Sequence, residues 1–281
     1  MLIQNYTSHA KINLGLQVFN KREDGYHNLY SLFVEIDLAD ELSFREASEL
    51  KLDIEGADLP LDKNNLIIKA YRLIRSKVED VQAEYSIHLK KNIPIGGGLG
   101  GGSSNAATVL TTLNKLWELN LTEDELENMS KSLGADVPFF IRGGIQLIEG
   151  IGDVLSPIID PAPMKDLQFI LVVPPIHIST PWAYRALNKT LQPDKSRPKF
   201  APLSKTMNWG LFDNDFERVI RKTYPKIGHI KTTLQNGGAL YAGLSGSGST
   251  VFGVFDNLQK AESILGNFSQ YQTYLSSPVV R

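Results

Sequence analysis

A glycine-rich segment near the middle of the chain constrains the fold more than any other feature. It runs Pro94-Ile-Gly-Gly-Gly-Leu-Gly-Gly-Gly-Ser-Ser104, and an apolar helical pattern starts at Ser103. Glycine permits backbone conformations with positive φ and leaves no side chain between the backbone N–H groups and a ligand. A helix N-terminus adds unpaired N–H donors and the positive end of the helix dipole. The segment therefore predicts a loop that holds a chain of phosphates.

Three interpretations of this segment compete. A flexible turn does not explain six glycines placed directly before a well-patterned helix. A dinucleotide site would use Gly96, Gly98 and Gly101, but the G-x-G-x-x-G spacing alone is weak evidence, and here it follows a polar Lys-Lys-Asn segment. A loop for the phosphates of ATP fits best, although it is not a Walker A motif, because no Lys follows the last glycine. A kinase with this loop would take its cation from elsewhere in the chain.

Length and composition exclude several classes of protein. The 281 residues can bury a sizeable core, at the upper limit for a single one. With 29 basic and 31 acidic residues, the chain has no global positive field for nucleic acid. It contains no cysteine, which excludes disulfides, thiolate zinc sites and a cysteine nucleophile. Since neither a signal-peptide pattern nor an apolar run of about 18 residues occurs, we expect a cytoplasmic protein without a membrane span.

Hydrophobic periodicity predicts strands and helices that do not strictly alternate, which is typical of an α+β fold. Strands are predicted at 9–19, 29–36, 42–54, 85–89, 169–173 and 251–255. Helices are predicted at 65–78, from 103 onward, at 123–133 after a capping box, at 216–223 and at 227–235. Residues 194–202, rich in Pro and Lys, suggest an exposed loop. The prolines at 157–163 suggest two domains, 1–155 with the glycine-rich loop and 156–281 with a second glycine-rich motif.

Several separated motifs resemble one superfamily of small-molecule kinases. SHAKINLGL at 8–16, the glycine-rich segment with its helix start, and GLSGSGSTVF at 243–252 are similar, in order, to the three motifs of the galactokinase–homoserine kinase–mevalonate kinase–phosphomevalonate kinase superfamily. More narrowly, AKINLGL, DGYHNL at 24–29, LGADVPFF at 133–140 and FDNDFE at 212–217 resemble the family of kinases that act on 4-diphosphocytidyl-2-C-methyl-D-erythritol in the non-mevalonate isoprenoid pathway. The resemblance covers about 10–255. It implies a two-domain α+β kinase with its active site in the inter-domain cleft.

Two residues carry the catalytic roles that the resemblance implies. By residue type alone, Asp136 is an N-cap or turn aspartate, and Lys11 is a solvated lysine on the first strand. The resemblance instead assigns Asp136 as the general base that takes the proton of the substrate hydroxyl. It assigns Lys11 as the cation that keeps this carboxylate ionised and helps to activate the hydroxyl. The implied mechanism is direct in-line transfer without a phosphoenzyme.

The resemblance also implies which residues bind ATP and its Mg²⁺. They are the whole glycine-rich loop, namely Pro94, Ile95, Gly96, Gly97, Gly98, Leu99, Gly100, Gly101, Gly102, Ser103 and Ser104. The two serines also suit helix N-capping, and Ser104 is the candidate ligand for Mg²⁺. The lysines before the loop, Lys90 and Lys91, are interpreted as solvated charges and are not assigned a role.

The implied substrate carries a cytidine diphosphate group. Tyr26 and His27, which unaided suggest an aromatic surface turn, match residues that stack on the cytosine and hydrogen-bond its edge. Tyr184 aligns with an aromatic residue on the other face of the base. Asn13 matches a polar substrate contact and Phe33 an aromatic residue of the pocket. The third motif would touch the substrate phosphates through backbone N–H groups of Gly246, Ser247 and Gly248, with Ser247 standing where many relatives carry Thr.

Two other functions stay open on the sequence. One is a kinase of the same superfamily that acts on homoserine, mevalonate or a sugar, although those substrates offer no base for the DGYHNL segment to recognise. The other is a non-catalytic nucleotide-binding regulator, against which the presence of both Lys11 and Asp136 argues. The scattered His9, His88, His177 and His229 have no metal-ligand spacing, so we expect no structural metal. The expected assembly is a monomer or a homodimer.

Overall fold

The computed structural model describes residues 3–79, 83–188, 203 and 207–281, without the side chains of residues 20 and 188. The predicted loop at 194–202 lies outside these residues. The described strands are β1 (Gln4–Lys21), β2 (His27–Ala47), β3 (Leu52–Glu55), β4 (Glu84–Lys90), β5 (Ile145–Glu149), β6 (Val154–Pro157), β7 (Gln168–Val173), β8 (Tyr241–Leu244), β9 (Val251–Phe255) and β10 (Gln272–Ser276). The described α-helices are α1 (Leu66–Arg75), α2 (Gly101–Leu116), α3 (Glu123–Ser130), α4 (Val137–Arg142), α5 (Thr180–Asn188), α6 (Glu217–Thr223), α7 (Pro225–Asn236) and α8 (Leu258–Ile264).

Contacts group the chain into two compact units, each built from separate segments. The first unit comprises Met1–Ala10, Leu38–Ile95 and Gly100–Gly143, and the second comprises Lys11–Asp37, Gly96–Leu99 and Gly144–Arg281. This grouping differs from the predicted division at residue 155, because the two longest strands, β1 and β2, each contribute residues to both units.

The first unit contains a small sheet and a layer of packed helices. The second half of β2, from Glu41 to Ala47, pairs antiparallel with β4, which pairs in parallel with β3. Helix α1 starts where the sequence predicts a helix, and the side chain of Asn65 caps it by accepting a hydrogen bond from the N–H of Ile67. Helix α2 packs against α1 and α4. The start of α2 is therefore held on a packed layer of helices.

The helix pair α3–α4 brackets the predicted general base. The predicted capping box is confirmed: Thr122 accepts from the backbone N–H of Glu125, and the Glu125 carboxylate accepts from the N–H of Thr122. Helix α4, which the periodicity analysis missed, has only six residues and no polar face from which to read a period. At its end Arg142 forms ion pairs with Glu123, Asp124 and Glu127 of α3. These contacts fix the direction of the segment that carries Asp136.

The second unit has a four-stranded antiparallel sheet in the order β10-β7-β9-β8. Helices α6, α7 and α8 bury apolar residues in one core with it, including Ile220, Leu234 and Ile264. The first half of β2 pairs separately with β5, and β5 pairs with β6. The predicted strands at 169–173 and 251–255 and the helices near 216–223 and 227–235 are confirmed within one or two residues. Strands β5, β6, β8 and β10 and helices α5 and α8 were not predicted.

Candidate active site

The end of the glycine-rich loop forms an open helix N-terminus. Helix α2 begins at Gly101, and its N-cap is Gly100 in the left-handed conformation with φ 72°. Among the described residues no side chain caps this helix, so the predicted capping by Ser103 or Ser104 is wrong. Ser104 instead lies in the first turn, with its Oγ 2.7 Å from Oγ of Ser8. Exposed Gly102 and the uncapped N–H groups give this end of the helix the character of an anion site.

The middle of the loop, Gly96–Leu99, packs in the second unit against the third motif. The N–H of Thr250 donates to the carbonyl oxygen of Gly97 at 3.2 Å, and the hydroxyl of Ser245 donates to that of Gly98 at 2.9 Å. On strand β1, the N–H of Lys11 donates to the carbonyl oxygen of Leu99 at 2.9 Å. The first, second and third motifs of the chain therefore meet at this point in the second unit.

Lys11, Asn13 and Phe33 form one buried cluster, although they were predicted for different tasks. The Lys11 ammonium donates to Oδ1 of Asn13 at 2.5 Å and lies 4.4 Å from the centroid of the Phe33 ring. The Asn13 amide nitrogen donates to Oγ of Ser31 at 3.1 Å. Lys11 and Asn13 are both 3% exposed, so the prediction of a solvated lysine by residue type is wrong. A buried ammonium that is hydrogen-bonded and faces an aromatic ring is held in one place.

Asp136 belongs to the first unit and occupies the N-cap position of α4. Its backbone has helical angles, φ −87° and ψ −11°, and in the described part of the chain its carboxylate makes no capping hydrogen bond. The side chain is half-buried. The common structural role of an aspartate at this position, capping the helix with its side chain, therefore does not explain the residue.

The third motif is held by the side chain of Asn214, which was not among the predicted site residues. Buried Asn214, in FDNDFE, donates to the carbonyl oxygens of Leu244 at 2.7 Å and Gly246 at 2.9 Å. Its own oxygen accepts from the N–H of Phe216 at 3.0 Å. Ser247 is fixed from the other side by a 2.8 Å hydrogen bond between its hydroxyl and that of Thr180. The position of Asn214 inside the FDNDFE motif could have pointed to this role. Residue type alone does not distinguish an asparagine that holds a loop from one that only forms a turn.

The two residues of the predicted aromatic turn have opposite environments. Tyr26 is 61% exposed, whereas His27 is 7% exposed. The His27 ring stacks on Tyr184 of α5, with centroids 5.8 Å apart and planes 26° apart. Its Nδ1 lies 2.7 Å from the carbonyl oxygen of Phe19, and its buried Nε2 has no hydrogen-bond partner among the described residues. Tyr184 therefore packs against the His27 ring, whereas the Tyr26 ring is accessible to a ligand.

The two lysines before the loop, both predicted to be solvated charges, have different environments. Lys90 is exposed and pairs with Glu41 at 3.1 Å, as a solvated charge would. The side chain of Lys91 is 5% exposed and pairs with fully buried Asp40 at 2.8 Å, so the interpretation of Lys91 as a solvated charge is wrong. Burial lowers the pKa of Lys91 below its ordinary value, and the charge of Asp40 opposes that shift.

Comparison with known proteins establishes the family. Residues 65–144 match the family model described as GHMP kinases N terminal domain, and residues 196–272 match the one described as GHMP kinases C terminal. The chain is 41% identical over 276 residues to the 4-diphosphocytidyl-2-C-methyl-D-erythritol kinase of Chlorobium chlorochromatii, with 95% of this chain and 94% of the relative covered. The enzyme of the same name from Azobacteroides pseudotrichonymphae is 44% identical, with 88% and 91% covered.

The chain belongs to the 4-diphosphocytidyl-2-C-methyl-D-erythritol kinase family. As a member of this family of GHMP kinases, it is an ATP-dependent kinase. A crystal structure described as 4-(cytidine 5'-diphospho)-2C-methyl-D-erythritol kinase superposes with a TM-score of 0.80 at 29% identity, covering 98% of this chain and 99% of that one. The homoserine kinase of Cytophaga hutchinsonii superposes with a TM-score of 0.73 at 18% identity, covering 99% and 97%, which shows a shared fold. The predicted α+β kinase fold and the predicted family are confirmed.

Two further features concern metals and membranes. Within residues 3–79, 83–188, 203 and 207–281, no group of three or more His, Asp or Glu side chains is placed to hold a metal ion. None of the helices in those ranges combines the length and the apolar character that a membrane crossing requires.

Proposed function

We propose that this chain transfers the γ-phosphoryl group of ATP to the 2-hydroxyl of 4-diphosphocytidyl-2-C-methyl-D-erythritol, with ADP as the second product. The relatives that carry this enzyme's name support the proposal across almost the whole chain. The observation that supports the substrate most directly is the buried His27, whose Nε2 has no partner among the described residues. A buried polar atom without a partner is costly unless a ligand completes it.

The hydrogen bond of His27 indicates which base it recognises. A carbonyl oxygen only accepts hydrogen bonds, so the contact with Phe19 places the proton on Nδ1. In the neutral ring Nε2 is then an acceptor, which requires a donor on the ligand. The exocyclic amino group of cytosine is such a donor, whereas uracil has an acceptor oxygen at the same position. Exposed Tyr26 would supply the stacking face for the base, while Tyr184 holds the imidazole plane.

The glycine-rich loop suits the phosphates of ATP. Its helix α2 begins with Gly-Gly-Ser-Ser, has no acidic residue in the first turn, and has no side-chain cap among the described residues. The N–H groups at that end therefore remain for an anion. Further along the second unit, Gly246 and Gly248 have positive φ, and the N–H of Gly248 donates to the carbonyl oxygen of Ser245 at 2.9 Å. In the described part of the chain, the N–H groups of Gly246 and Ser247 make no such backbone hydrogen bond. We assign those groups to the phosphates of the substrate.

Asp136 and Lys11 would carry the chemistry. Asp136 takes the proton from the 2-hydroxyl as that oxygen attacks the γ-phosphorus in line with the bond to ADP. Lys11 supplies the positive charge that the loop lacks, since no Lys follows its last glycine. Its ammonium is held by Asn13 and the Phe33 ring, so it stabilises developing negative charge without being reoriented during the reaction.

The residues present fit a Mg²⁺ ion that enters with ATP. Mg²⁺ keeps several water ligands and is usually held by substrate phosphates with only one or two protein groups, so a dedicated cluster of carboxylates is not needed. The serine hydroxyls at 103 and 104 would be those groups. When bound, the ion neutralises charge on the β- and γ-phosphates.

The test is release of ADP from purified protein with Mg²⁺-ATP and one acceptor at a time. The acceptors are the cytidine diphosphate substrate, its uridine analogue, homoserine, mevalonate and galactose. We expect turnover with the cytidine compound, and a kcat/KM for the uridine analogue lower by on the order of 10²-fold or more, because its oxygen would face an acceptor. Turnover with homoserine, mevalonate or galactose instead would keep the kinase assignment and overturn the substrate.

Variants test the catalytic assignments. Asp136→Asn and Lys11→Met should each lower kcat by roughly 10² to 10⁴-fold. Exposed Asp166→Asn and Lys165→Met make the same chemical changes on another part of the surface and should leave kcat unchanged. Folded wild-type protein that binds ATP and phosphorylates none of the acceptors would move the assignment to a non-catalytic nucleotide-binding regulator.

A further inference from the structure

The carboxylate of Asp40 connects the two ends of the glycine-rich loop within the first unit. Its Oδ1 accepts from the backbone N–H groups of Asn92 and Ile93, both at 2.8 Å, on the side that precedes the loop. Its Oδ2 accepts from the side-chain amide of Asn105 at 2.9 Å, on the helix that follows the loop. One fully buried carboxylate therefore accepts hydrogen bonds from both sides of residues 94–104.

Lys91 strengthens this connection at the same ends. Its ammonium donates to both oxygens of Asp40, at 3.1 and 2.8 Å, and to the carbonyl oxygen of Ile93 at 2.6 Å. The ammonium also lies against the start of α2: a Cβ on Gly101 would meet Nζ of Lys91 at 3.0 Å and Cγ2 of Ile93 at 3.0 Å. A side chain on the first residue of α2 would therefore require the lysine and the isoleucine to shift by a few tenths of an ångström.

The connection extends to the residue predicted to reach the phosphates. The amide of Asn105 donates to Oγ of Ser8 at 3.0 Å, and Oγ of Ser8 lies 2.7 Å from Oγ of Ser104. All of these residues are buried. The first turn of α2 is thereby fixed relative to residues 92–93 through hydrogen-bonded side chains, in addition to the chain itself.

Stability alone does not account for a charged pair at this place. Moving two charges out of water costs free energy that their attraction often fails to recover, and neutral replacements of buried pairs are commonly tolerated. The downward pKa shift of Lys91 by burial has the same origin. A rigid, fully hydrogen-bonded network does, however, hold backbone donors in place before a ligand arrives, which lowers the cost of binding.

We propose that Asp40 and Lys91 are positioning residues for ATP, which hold the two ends of residues 94–104 at the spacing that its phosphates require. The proposal rests on the proposed assignment of this loop to the phosphates of ATP. It predicts that neutralising the pair weakens ATP selectively, because the network touches the loop and none of the residues that we assign to the cytidine substrate.

The experiment compares the buried pair with an exposed pair beside it in sequence, since Glu41 follows Asp40 and Lys90 precedes Lys91. Asp40→Asn combined with Lys91→Met removes both buried charges together, so neither is left unpaired. Glu41→Gln combined with Lys90→Met removes the neighbouring exposed pair. Affinity for Mg²⁺-ATP is measured by calorimetry without acceptor, and the KM of each substrate is measured at a temperature where thermal unfolding shows every variant folded. We expect the buried double variant to raise the Kd and KM of ATP by on the order of tenfold, with a nearly unchanged KM for the acceptor, and the exposed one to change neither.

Several outcomes would overturn the proposal. One is a folded buried double variant with the wild-type Kd for ATP, and another is an equal rise in the KM of both substrates, which would indicate a general loss of structure. If that variant does not fold, Asn105→Ala keeps the ion pair and removes its link to α2 together with the contact between Asn105 and Ser8, and the Kd of ATP should still rise. Wild-type protein that binds ATP but does not phosphorylate the cytidine substrate would overturn the proposed function and leave this proposal standing.

Discussion

The two glycine-rich loops of this kinase are held by different forces and use their glycines for different reasons. The ends of residues 94–104 are held by the buried pair of Asp40 and Lys91, while Ile95, Gly96 and Gly102 are exposed. Residues 243–250 are held by the neutral amide of Asn214 and by hydroxyl groups, and from Ser245 to Thr250 only Gly246 is more than slightly accessible.

The two loops show two different reasons for a glycine: it leaves room for a ligand, or it lets two backbone segments pack closely. Where the backbone is open, as at Gly102, glycine leaves room for a ligand, and a side chain would meet only ordinary contacts. Where two loops pack together, as at Gly98, glycine is needed by the fold itself. A run of glycines in a sequence therefore combines positions under two kinds of constraint, and the constraints can be measured separately.

The largest expected effect is that of Gly98→Ala. A Cβ at this position would overlap the carbonyl oxygen of Ser245 and lie 3.1 Å from its carbonyl carbon, at a φ of +81° that an L side chain rarely adopts. We expect the free energy of unfolding, from urea titration, to fall by roughly 3 kcal/mol or more. Gly102→Ala in the same loop is the control. Its Cβ would meet Leu66 at 3.5 Å, so we expect no loss and a gain of up to about 1 kcal/mol.

Asn214→Ala should have the next largest effect. It removes both donors to the third motif and the acceptor for Phe216, so the buried carbonyl oxygen of Leu244 and the partly buried one of Gly246 lose this hydrogen bond. The expected loss of unfolding free energy is about 2–3 kcal/mol. Exposed Asn208, which accepts a hydrogen bond from the N–H of Gly210, is the matched control, and its alanine variant should lose less than about 1 kcal/mol. Equal losses of unfolding free energy in the two variants would mean that the Asn214 amide does not stabilise the third motif.

A double-mutant cycle measures the contact between the two loops directly. In Gly97→Ala, the new Cβ would lie 2.7 Å from Oγ1 of Thr250, a buried oxygen without a hydrogen-bond partner among the described residues. The single variant should lose about 1–2 kcal/mol. In the background of Thr250→Ala the same substitution should cost less, by a coupling free energy of about 1 kcal/mol. If the free-energy losses of the two single variants simply add, the two loops can move apart at this point without a cost.

The smallest effect is expected for Ser245→Ala. Its hydroxyl donates to the carbonyl oxygen of Gly98 at 2.9 Å and accepts from the N–H of Asn13 at 3.3 Å. Losing this neutral link should cost about 1 kcal/mol in urea unfolding, since the mean net contribution of such bonds is near that value. Ser263→Ala removes an exposed hydroxyl bonded to the carbonyl oxygen of Lys260 and should change little. A larger loss at Ser263 would contradict the ranking of these links.

The sequence predicts the fold and family well where a local pattern suffices. The capping box at Thr122 and the apolar face of α1 depend on residues three or four positions apart. They can therefore be predicted from the sequence without knowledge of tertiary contacts. Helix α4 was not predicted, because five of its six residues are buried and its sequence shows no amphipathic periodicity.

The candidate site is harder to predict from the sequence, because the surroundings of its residues are formed by segments far away in the chain. Lys90 and Lys91 are adjacent and chemically identical, yet one is solvated and the other is buried against Asp40, about fifty residues earlier. The left-handed Gly100 places the helix start at Gly101, which a preference for serine caps could not reveal. The roles of Lys11 and Asp136 were implied by family motifs, and residue type alone favoured ordinary structural roles for both.

The interleaving of the two compact units bears on how the chain acquires its structure during synthesis. Every segment of the first unit has been made once Gly143 has been added, whereas the second unit needs both Lys11–Asp37 and the segment that ends at Arg281. Its contacts thus join residues far apart in sequence, which slows their formation. Ribosomes stalled far enough beyond Gly143 for that residue to have left the exit tunnel should therefore carry a protease-resistant core of the first unit alone. The early strand segments of the second unit must then wait, exposed, for a sheet that has not yet been made.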